Sequence, residues 1–270
     1  MFTKIKGKIA YLIKVKRNKR LLKNIDYLND IKSYEEEIFF ADGKEKRLAV
    51  YTAIIGKYDN LLKQNSISKY CDYFCITDNR DIKSNIWKII YVDKNDYGLN
   101  DIENTKVARY IKTHPHIFFK NYQHSLWIDS NIIIEREISE WIYKYLKNDD
   151  SSLVHLHPDR FTLNQEVKEV IDAKKDSIDN ITKQIENYRK DGFNCDTNGL
   201  IMTNVIYRKN TREVNEFNEL WWNQIKNYSK RDQLSFNYSA WKTELKYSTC
   251  DLDPFGNIFF TRLKHNYTNK

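Results

Sequence analysis

The sequence is poor in the two residues that most often interrupt regular secondary structure. Only seven of its 270 residues are glycine and three are proline. Collagen-like repeats, linker-rich chains and all-β proteins with many tight turns all need more of both residues. A chain of this length can bury a sizeable core, and it fits one large domain with short appendages.

Cysteine is also scarce, and its spacing excludes the common structural uses. The four cysteines include no C-x-x-C pair, so a zinc knuckle is not indicated. Cys71 and Cys75 are close in sequence but lie about 13 Å apart along a predicted strand, which is too far for a disulfide. We therefore expect that all four thiols, including those of Cys195 and Cys250, are buried and reduced. Reduced thiols predict a cytoplasmic location.

Long apolar runs are absent, and the positive charge is confined to one end. No run approaches the roughly 20 apolar residues of a transmembrane helix, and no signal-peptide core is visible. The net charge is +8, but residues 1–24 hold nine of the 45 basic residues and no acid. Subtracting those nine leaves 36 basic against 37 acidic side chains, a nearly neutral body. Nucleic-acid-binding folds carry their charge on the body, so we predict no nucleic-acid partner.

The basic N-terminal segment has an apolar stripe with helical periodicity. Its members are Phe2, Ile5, Ile9, Leu12 and Ile13. Lys16 interrupts the stripe, and two interpretations stay open: a peripheral helix on the anionic inner face of a membrane, or a solvated basic extension. We assign residues 1–46 to this extension and a connector, and residues 47–270 to the main domain.

From residue 47 onward, strand-like and helix-like segments alternate. Predicted strands cover 48–56, 72–78, 87–92, 125–134, 152–156 and 199–208, and predicted helices cover 103–122, 137–147, 164–190, 211–227 and 230–243. This alternation predicts an α/β, Rossmann-like single domain with a mostly parallel central sheet flanked by helices. Such sheets bind ligands at the carboxyl ends of their strands.

The most informative segment places three polar residues between two apolar flanks. Asp129, Ser130 and Asn131 interrupt an otherwise apolar strand, and burying such groups is costly unless they have partners. Residues two apart on a strand point to the same side, so Asp129 and Asn131 can direct oxygens at one centre. Oxygen ligands suit Mn²⁺ or Mg²⁺. A strand that simply ends in a turn at Ser130 is the alternative.

This segment resembles the D-x-D metal-binding signature of GT-A glycosyltransferases, with asparagine at the third position. Several other segments occur in the order such enzymes show, and together they resemble a glycosyltransferase-like family once classed as a domain of unknown function, with bacterial and plant cell-wall members. The matching segments are VYTAIIGKYD (50–59), SLWIDSN (125–131), HPDR (157–160), YRKDGFN (188–194) and RDQLSFNYSAWK (231–242). More distant similarity links DTNGLIMTNV (196–205) to glycogenin-like and lipo-oligosaccharide galactosyltransferases.

The resemblance implies a GT-A-like fold and a nucleotide-sugar donor, most simply a UDP-sugar. It implies that the donor contacts Tyr51, Thr52, Ala53, Tyr58, Asp59, Lys106, Arg109, Asp129, Asn198 and Gly199. Cations near the leaving diphosphate would offset the charge that develops there. Lys106 and Arg109 are three residues apart on a predicted helix and share a face, although solvated helix charge explains them equally well.

The resemblance also implies the remaining parts of an active site. Asp129, Asn131 and His265 would ligate Mn²⁺ or Mg²⁺, although asparagine adds no charge and leaves the metal's identity open. Asp232 and Gln233 would contact the reacting sugar as catalytic residues. His157 would act as a base or, with Arg160, orient a glycan or lipid-linked acceptor.

The expected function is metal-assisted sugar transfer in surface-polysaccharide or glycolipid biosynthesis. Two other classes stay open from the residues. One is a metal-dependent hydrolase of a lipid or phosphoester, although G-x-S-x-G and H-E-x-x-H are missing from the sequence. The other is a non-catalytic carbohydrate-binding domain that uses some of the 19 tyrosines and six tryptophans.

Overall fold

The structure is a computed structural model that describes residues 40–41, 44–45, 47–147 and 149–265. The predicted membrane-binding helix within residues 1–24 lies outside the described residues. A short antiparallel pair, β1 (Phe40–Ala41) and β2 (Lys44–Glu45), precedes the main domain. No helix in the described part of the chain has the length and apolar character that crossing a bilayer requires.

The main domain is built on a seven-stranded sheet with a separate two-stranded ribbon. The sheet strands are β3 (Leu48–Ile54), β4 (Cys71–Thr77), β5 (Trp87–Tyr91), β6 (His124–Ile128), β8 (Ser152–Leu156), β9 (Ile201–Lys209) and β10 (Tyr247–Cys250), and the ribbon pairs β7 (Ile132–Ile134) with β11 (Phe260–Arg262). The sheet order is β10-β8-β9-β6-β3-β4-β5. Only β9 runs antiparallel to its neighbours β6 and β8. The prediction of an α/β fold with a mostly parallel sheet is confirmed.

Helices cover both faces of the sheet, which explains why the central strands are apolar along their whole length. The helices are α1 (Asn104–Thr113), α2 (Pro115–Phe118), α3 (Ile138–Tyr145), α4 (Leu163–Asp172), α5 (Ile178–Lys190), α6 (Arg212–Asn227) and α7 (Gln233–Lys242), with a 3₁₀ turn at Lys94–Tyr97. Every residue of β3 and β4 is buried. Alternate residues of β3 pack against α3 on one face and against α1, α6 and α7 on the other.

Two of the predicted long helices are wrong because each is broken by a local feature. The segment 103–122 divides into α1 and α2 at Pro115, whose nitrogen has no hydrogen to donate to the preceding turn. The segment 164–190 divides into α4 and α5, and Lys174 between them has a φ of 51° that no helix accommodates. The four cysteines are free and buried, as predicted.

The predicted strand 125–134 also divides, and its break forms the polar triplet. β6 ends at Ile128 and β7 begins at Ile132. Between them the Ile132 amide donates to the Asp129 carbonyl at 2.9 Å, which closes a tight turn. The triplet therefore leaves the sheet at its carboxyl edge, where the side chains are available to a ligand.

Candidate active site

A cavity of about 400 Å³ opens at the carboxyl ends of β3 and β6. The start of β9 meets the same edge because β9 runs antiparallel to β6. The first turns of α1, the residues before α7 and the C-terminal segment complete the wall. The residues that line the cavity include Ala53, Tyr58, Asn104, Arg109, Trp127, Asp129, Asn131, Lys175, Thr203, Asn204, Lys230, Arg231, Asp232, Gln233, Arg262 and His265. This is the edge at which open α/β sheets bind their ligands.

Asp129 is fixed at the centre of this edge by both its backbone and its side chain. Its amide donates to the Asn204 carbonyl at 2.9 Å. One carboxylate oxygen accepts a hydrogen bond from Trp127 Nε1 at 2.8 Å and lies 3.3 Å from Lys112 Nζ. The side chain is still 27% exposed, so it can contact a ligand in the cavity.

Asn131 lies beside Asp129 with its amide group oriented by the C-terminal segment. Its Nδ2 donates to the Leu263 carbonyl at 2.7 Å and lies 3.3 Å from His265 Nε2. Its buried Oδ1 meets no hydrogen-bond donor in the described part of the molecule. Asp59 orients the histidine, since its carboxylate is 2.6 Å from His265 Nδ1 and also accepts from Ser130 Oγ at 2.5 Å.

Asp232 is the second buried carboxylate of the site, and two cations surround it. Lys112 Nζ is 2.6 Å from one carboxylate oxygen, and Arg109 Nε is 3.2 Å from the other. Thr203 Oγ1 donates a further hydrogen bond at 2.9 Å. Burial alone would raise the pKa of Asp232, but the charges of Arg109 and Lys112 outweigh it and hold that pKa well below its ordinary value. Asp232 is therefore a permanent negative charge near neutral pH rather than a proton acceptor.

Basic side chains outnumber carboxylates around the cavity. The lining holds five lysine or arginine residues and the two aspartates described above. Two of the lysines are already paired at 3.2 Å, Lys175 with Glu169 and Lys230 with Glu103. By contrast, the buried Nε of Arg231 meets no hydrogen-bond acceptor among the described residues. Such a cavity can bind an anionic ligand. A diphosphate suits it, because phosphate oxygens match the paired N–H groups of arginine.

The structure brings many of the predicted site residues together. Ala53, Tyr58, Arg109, Asp129, Asn131, Asp232, Gln233 and His265 all line the cavity, and Asp59 joins it through His265. These residues come from five separate parts of the sequence. Their convergence gives one site that contains both the predicted metal ligands and the predicted catalytic pair Asp232 and Gln233.

Tyr51, Thr52 and Lys106 lie behind the cavity wall rather than in it. The buried Tyr51 hydroxyl donates to the Lys112 carbonyl at 2.7 Å and contacts the Arg208 guanidinium. Thr52 is 1% exposed. Lys106 Nζ donates to two carbonyls at the C-terminal end of α6, at 3.0 and 2.9 Å, where a cation is favourable. Tyr51 thus holds the end of α1 that carries Lys112.

His157 and Arg160 lie in the loop after β8 and are not among the residues that line this cavity. His157 Nδ1 accepts the backbone amides of Asp159 and Arg160 at 3.1 and 3.0 Å, and burial lowers its pKa to about 4. The Arg160 guanidinium pairs with buried Glu166 at 2.5 Å. These contacts stabilise the loop after β8, and they leave His157 neutral at physiological pH.

Asn198 lines a second cavity, and Gly199 is the next residue of the same loop. Gly199 has a φ of 111°, and among the described atoms none lies within 4 Å of the position that a Cβ would take. Its amide donates to the Phe161 carbonyl at 2.9 Å, and its carbonyl accepts from Asn237 at 2.9 Å. Glycine is therefore required here by the backbone conformation.

Four further residues that shape the site were not predicted from the sequence: Lys112, Thr203, Asn204 and Arg231. Lys112 follows Arg109 by three residues and so shares its helix face, which is a usable signal. Thr203 and Asn204 are polar residues within an apolar strand, the same pattern that identified Asp129. Arg231 directly precedes Asp232, but nothing local indicates that its Nε is buried.

The fold and the cavity define an α/β protein with a cavity rich in basic side chains at the carboxyl edge of its sheet. Residues 36–268 match the family described as TOD1/MUCI70, glycosyltransferase-like domain, and the chain belongs to that family. This confirms the resemblance that the sequence motifs indicated.

Two known proteins show the relationship in more detail. The chain is similar to a probable hexosyltransferase, MUCI70 of Arabidopsis thaliana, with 24% identity over 215 residues. That match covers 70% of this chain but 36% of the plant protein, so the chain spans about a third of its length. The solved structure of WbbM, a bifunctional glycosyltransferase, matches 78% of this chain and 40% of its own, with a TM-score of 0.50 and 11% identity. That likeness supports a glycosyltransferase fold.

Proposed function

We propose that this protein transfers a hexose from a nucleoside-diphosphate sugar, most simply a UDP-sugar, to a glycan or lipid-linked acceptor. The reaction would belong to surface-polysaccharide or glycolipid assembly, on the cytoplasmic side of a membrane. The observation that carries the proposal is the convergence of Asp129, Asn131, Arg109 and Asp232 on one cavity at the carboxyl edge of the sheet. The family membership supports the same class of reaction.

The residues present fit a divalent cation such as Mn²⁺ or Mg²⁺. Asn131 lines the cavity, its Nδ2 is held by the Leu263 carbonyl, and its Oδ1 is a buried oxygen that the described residues leave without a donor. Asp59 hydrogen-bonds His265 in the way that a carboxylate behind a metal-binding histidine orients its ring. Asp129, Asn131 and His265 would hold the cation, which would offset the charge of the diphosphate.

The donor set is smaller than a self-sufficient metal site needs. Within the described chain no three His, Cys, Asp or Glu side chains are arranged around one metal position. Asn131 takes the place of a charged ligand, so diphosphate oxygens would have to complete the coordination. We therefore infer that metal and nucleotide bind together more tightly than either binds alone.

The chain's own residues would divide the remaining work by charge. Arg109 and Arg231 lie where they can bind the leaving diphosphate and stabilise the charge that develops on it. Asp232 stays ionised because Arg109 and Lys112 surround it, so it can stabilise positive charge at the sugar carbon or support attack there. Gln233, the next residue, also lines the cavity and would bind a sugar hydroxyl.

A thermal unfolding experiment tests this proposal directly. The purified chain would be heated with UDP, GDP, ADP, dTDP and their sugars, each with and without Mn²⁺ or Mg²⁺. We expect a metal-dependent rise in Tm with one nucleoside diphosphate, since a ligand at 100 times its Kd stabilises by about 2.7 kcal/mol. Asp129→Asn should abolish this rise, while Asp101→Asn, an exposed aspartate outside the cavity lining, should keep it.

Release of the nucleoside diphosphate in the presence of the sugar donor then tests transfer or slow donor hydrolysis. The proposal fails if no nucleotide raises Tm with either metal, or if Asp129→Asn responds like the unmodified chain. Metal-dependent cleavage of a lipid or phosphoester without a nucleotide sugar would instead favour a hydrolase.

A further inference from the structure

A second cavity, of about 610 Å³, lies on the β10 side of the molecule. Its size is within the range of about 300–1,000 Å³ that small-molecule sites occupy. Its wall is formed by the loop before β9, the C-terminal half of α7 and the residues that lead to β10. The two cavities share no lining residue.

The lining of the second cavity differs in chemistry from that of the first. Trp241 is 44% exposed there, and its ring lies 5.4 Å from that of Phe193. Around these rings the wall presents amide, hydroxyl and carboxylate groups from Asn194, Thr197, Asn198, Asn237 and Glu244. No lysine or arginine occurs among the described residues that line it, and the nearby Lys242 has its Nζ 5.8 Å from the centroid of the Trp241 ring. An aromatic platform with hydrogen-bonding groups and no lysine or arginine in its lining suits a neutral polyhydroxylated ligand rather than a phosphate or an acidic glycan.

The walls of this cavity are held in place by contacts that do not depend on a ligand. Asn237 donates to the Gly199 carbonyl at 2.9 Å and accepts from the Ile201 amide at 3.3 Å, which fastens the loop before β9 to α7. Tyr238 stacks on Tyr188 with 3.7 Å between ring centroids, and its hydroxyl donates to Asp191 at 2.5 Å. The site is therefore preorganised, which reduces the entropy lost when a ligand binds.

Helix α7 contributes residues to both cavities. Gln233 lines the first cavity, and Asn237 and Trp241 line the second. These three residues are four positions apart in turn, so they share a helix face. Eight residues of helix span about 12 Å. Between the cavities this face packs against the start of β9, because Asn237 is bonded to Gly199 and Ile201 and Gln233 contacts Met202, so the two cavities are separate sites on one helix.

We propose that the second cavity binds a neutral oligosaccharide through stacking on Trp241. The assignment of this oligosaccharide as the distal part of the acceptor rests on the proposed function, whereas saccharide binding itself does not. The first cavity, with five basic residues in its lining, would hold the donor, and the second cavity, with none in its lining, would hold sugars of the acceptor that do not react.

The test uses cellohexaose, xylohexaose, mannohexaose and maltohexaose as probes, with binding to the full chain followed by calorimetry and saturation-transfer NMR. We expect at least one probe to bind and Trp241→Ala to weaken it by about tenfold or more, as loss of a central aromatic contact does. Trp241→Phe should retain part of the affinity because it keeps an aromatic face. Tyr91→Ala is the matched control, because Tyr91 is 39% exposed on β5 at the opposite edge of the sheet.

Nucleotide binding separates this inference from the proposed function. Trp241→Ala should keep the metal-dependent rise in Tm with nucleoside diphosphate. The inference is overturned if none of the four probes binds, or if Trp241→Ala binds them as the unmodified chain does. Saccharide binding without any nucleotide effect would overturn the proposed function and leave the saccharide site standing.

Discussion

Lys112 and Asp232 form a fully buried ion pair whose partners depend on each other. Lys112 is 0% exposed and contacts Asp232 at 2.6 Å and Asp129 at 3.3 Å. Removing one partner of a buried pair leaves an uncompensated charge, which costs about 3–5 kcal/mol. We therefore expect Lys112→Met to lower the free energy of unfolding by that amount in urea titrations. Asp232→Asn combined with Lys112→Met should lose less than the sum of the single changes.

A surface pair provides the matched control for this measurement. Lys88 lies 2.9 Å from Asp72, but its side chain is 61% exposed. Exposed pairs contribute about 0–1 kcal/mol, so Lys88→Met should change stability by no more than that. Equal losses for the two lysine variants, or strictly additive losses for Lys112 and Asp232, would contradict the idea of a coupled buried pair.

Asn131 tests the proposed metal site because it stands where a third-position aspartate is expected from the D-x-D signature. Asn131→Asp would replace the hydrogen bond from Nδ2 to the Leu263 carbonyl with contact between two oxygens. Without metal we expect this variant to lose about 1–3 kcal/mol, the usual cost of an unsatisfied buried group. Added ligand charge should tighten the binding of Mn²⁺, so the metal-dependent gain in Tm should exceed that of the unmodified chain.

The readout is a pair of thermal unfolding curves with UDP, one with Mn²⁺ and one with chelator. Asn131→Ala is the comparison, because it removes the oxygen without adding charge. If Asn131→Asp gains no more from Mn²⁺ than Asn131→Ala does, Asn131 does not face a metal.

At the scale of elements, the loop after β3 is packed against the start of α1 through Gly56. Its φ is 68°, and a Cβ at this position would lie 2.0 Å from Asn104 Nδ2. Gly98 has a similar φ of 64°, but among the described atoms none lies within 4 Å of its Cβ position. Gly98→Ala should therefore cost only the left-handed backbone penalty of about 1–2 kcal/mol. Gly56→Ala should cost more, and it should displace Asn104 from the cavity wall.

Asn104→Ala identifies the cause of that difference. Without the Asn104 amide, the nearest remaining side-chain atom is the Asn104 Cβ at 3.6 Å, an ordinary contact distance. In that background, Gly56→Ala should cost no more than Gly98→Ala in urea unfolding. If the excess cost persists, the clash with Asn104 is not its source.

Sequence patterns predict those elements whose cause is local. The apolar runs at β3 and β4 are visible because helices cover both faces of the sheet, so the strands need no polar side. The break at Pro115 could have been predicted from proline chemistry. The break near Lys174 depends on a positive φ at that residue, which lysine does not indicate in a sequence.

Long-range pairing accounts for most of what the sequence leaves out of the site. His265 is oriented by Asp59, 206 residues earlier, and Asp232 is paired with Lys112, 120 residues earlier. No spacing rule connects such residues, because the sheet order decides which loops meet. For Lys106 the local pattern was misleading. Its helical spacing from Arg109 predicted a place in the site, but its ammonium group hydrogen-bonds carbonyls at the end of α6.

At the scale of the whole molecule, buried neutral histidines make the fold sensitive to acid. Burial lowers the pKa of His155 to about 3, and burial also lowers the pKa values of His114 and His157 to about 4. An unfolded histidine has a pKa of about 6.5. Between these values the unfolded chain binds more protons than the native chain, so the free energy of unfolding falls as pH drops below about 6.5.

His155 isolates one of these contributions. It is 0% exposed, its ring stacks on Trp141 at 5.4 Å, and in the described structure neither ring nitrogen has a hydrogen-bond partner. His155→Phe keeps the stacking and removes the titration. Below pH 6.5 the free energy of unfolding of this variant should therefore fall less steeply than that of the unmodified chain, by about 1.4 kcal/mol per pH unit. Urea unfolding of both proteins from pH 7.5 to 4.5 measures this slope. Carboxylates and the other histidines contribute equally to both curves, so parallel curves would show that His155 is not kept neutral by the fold.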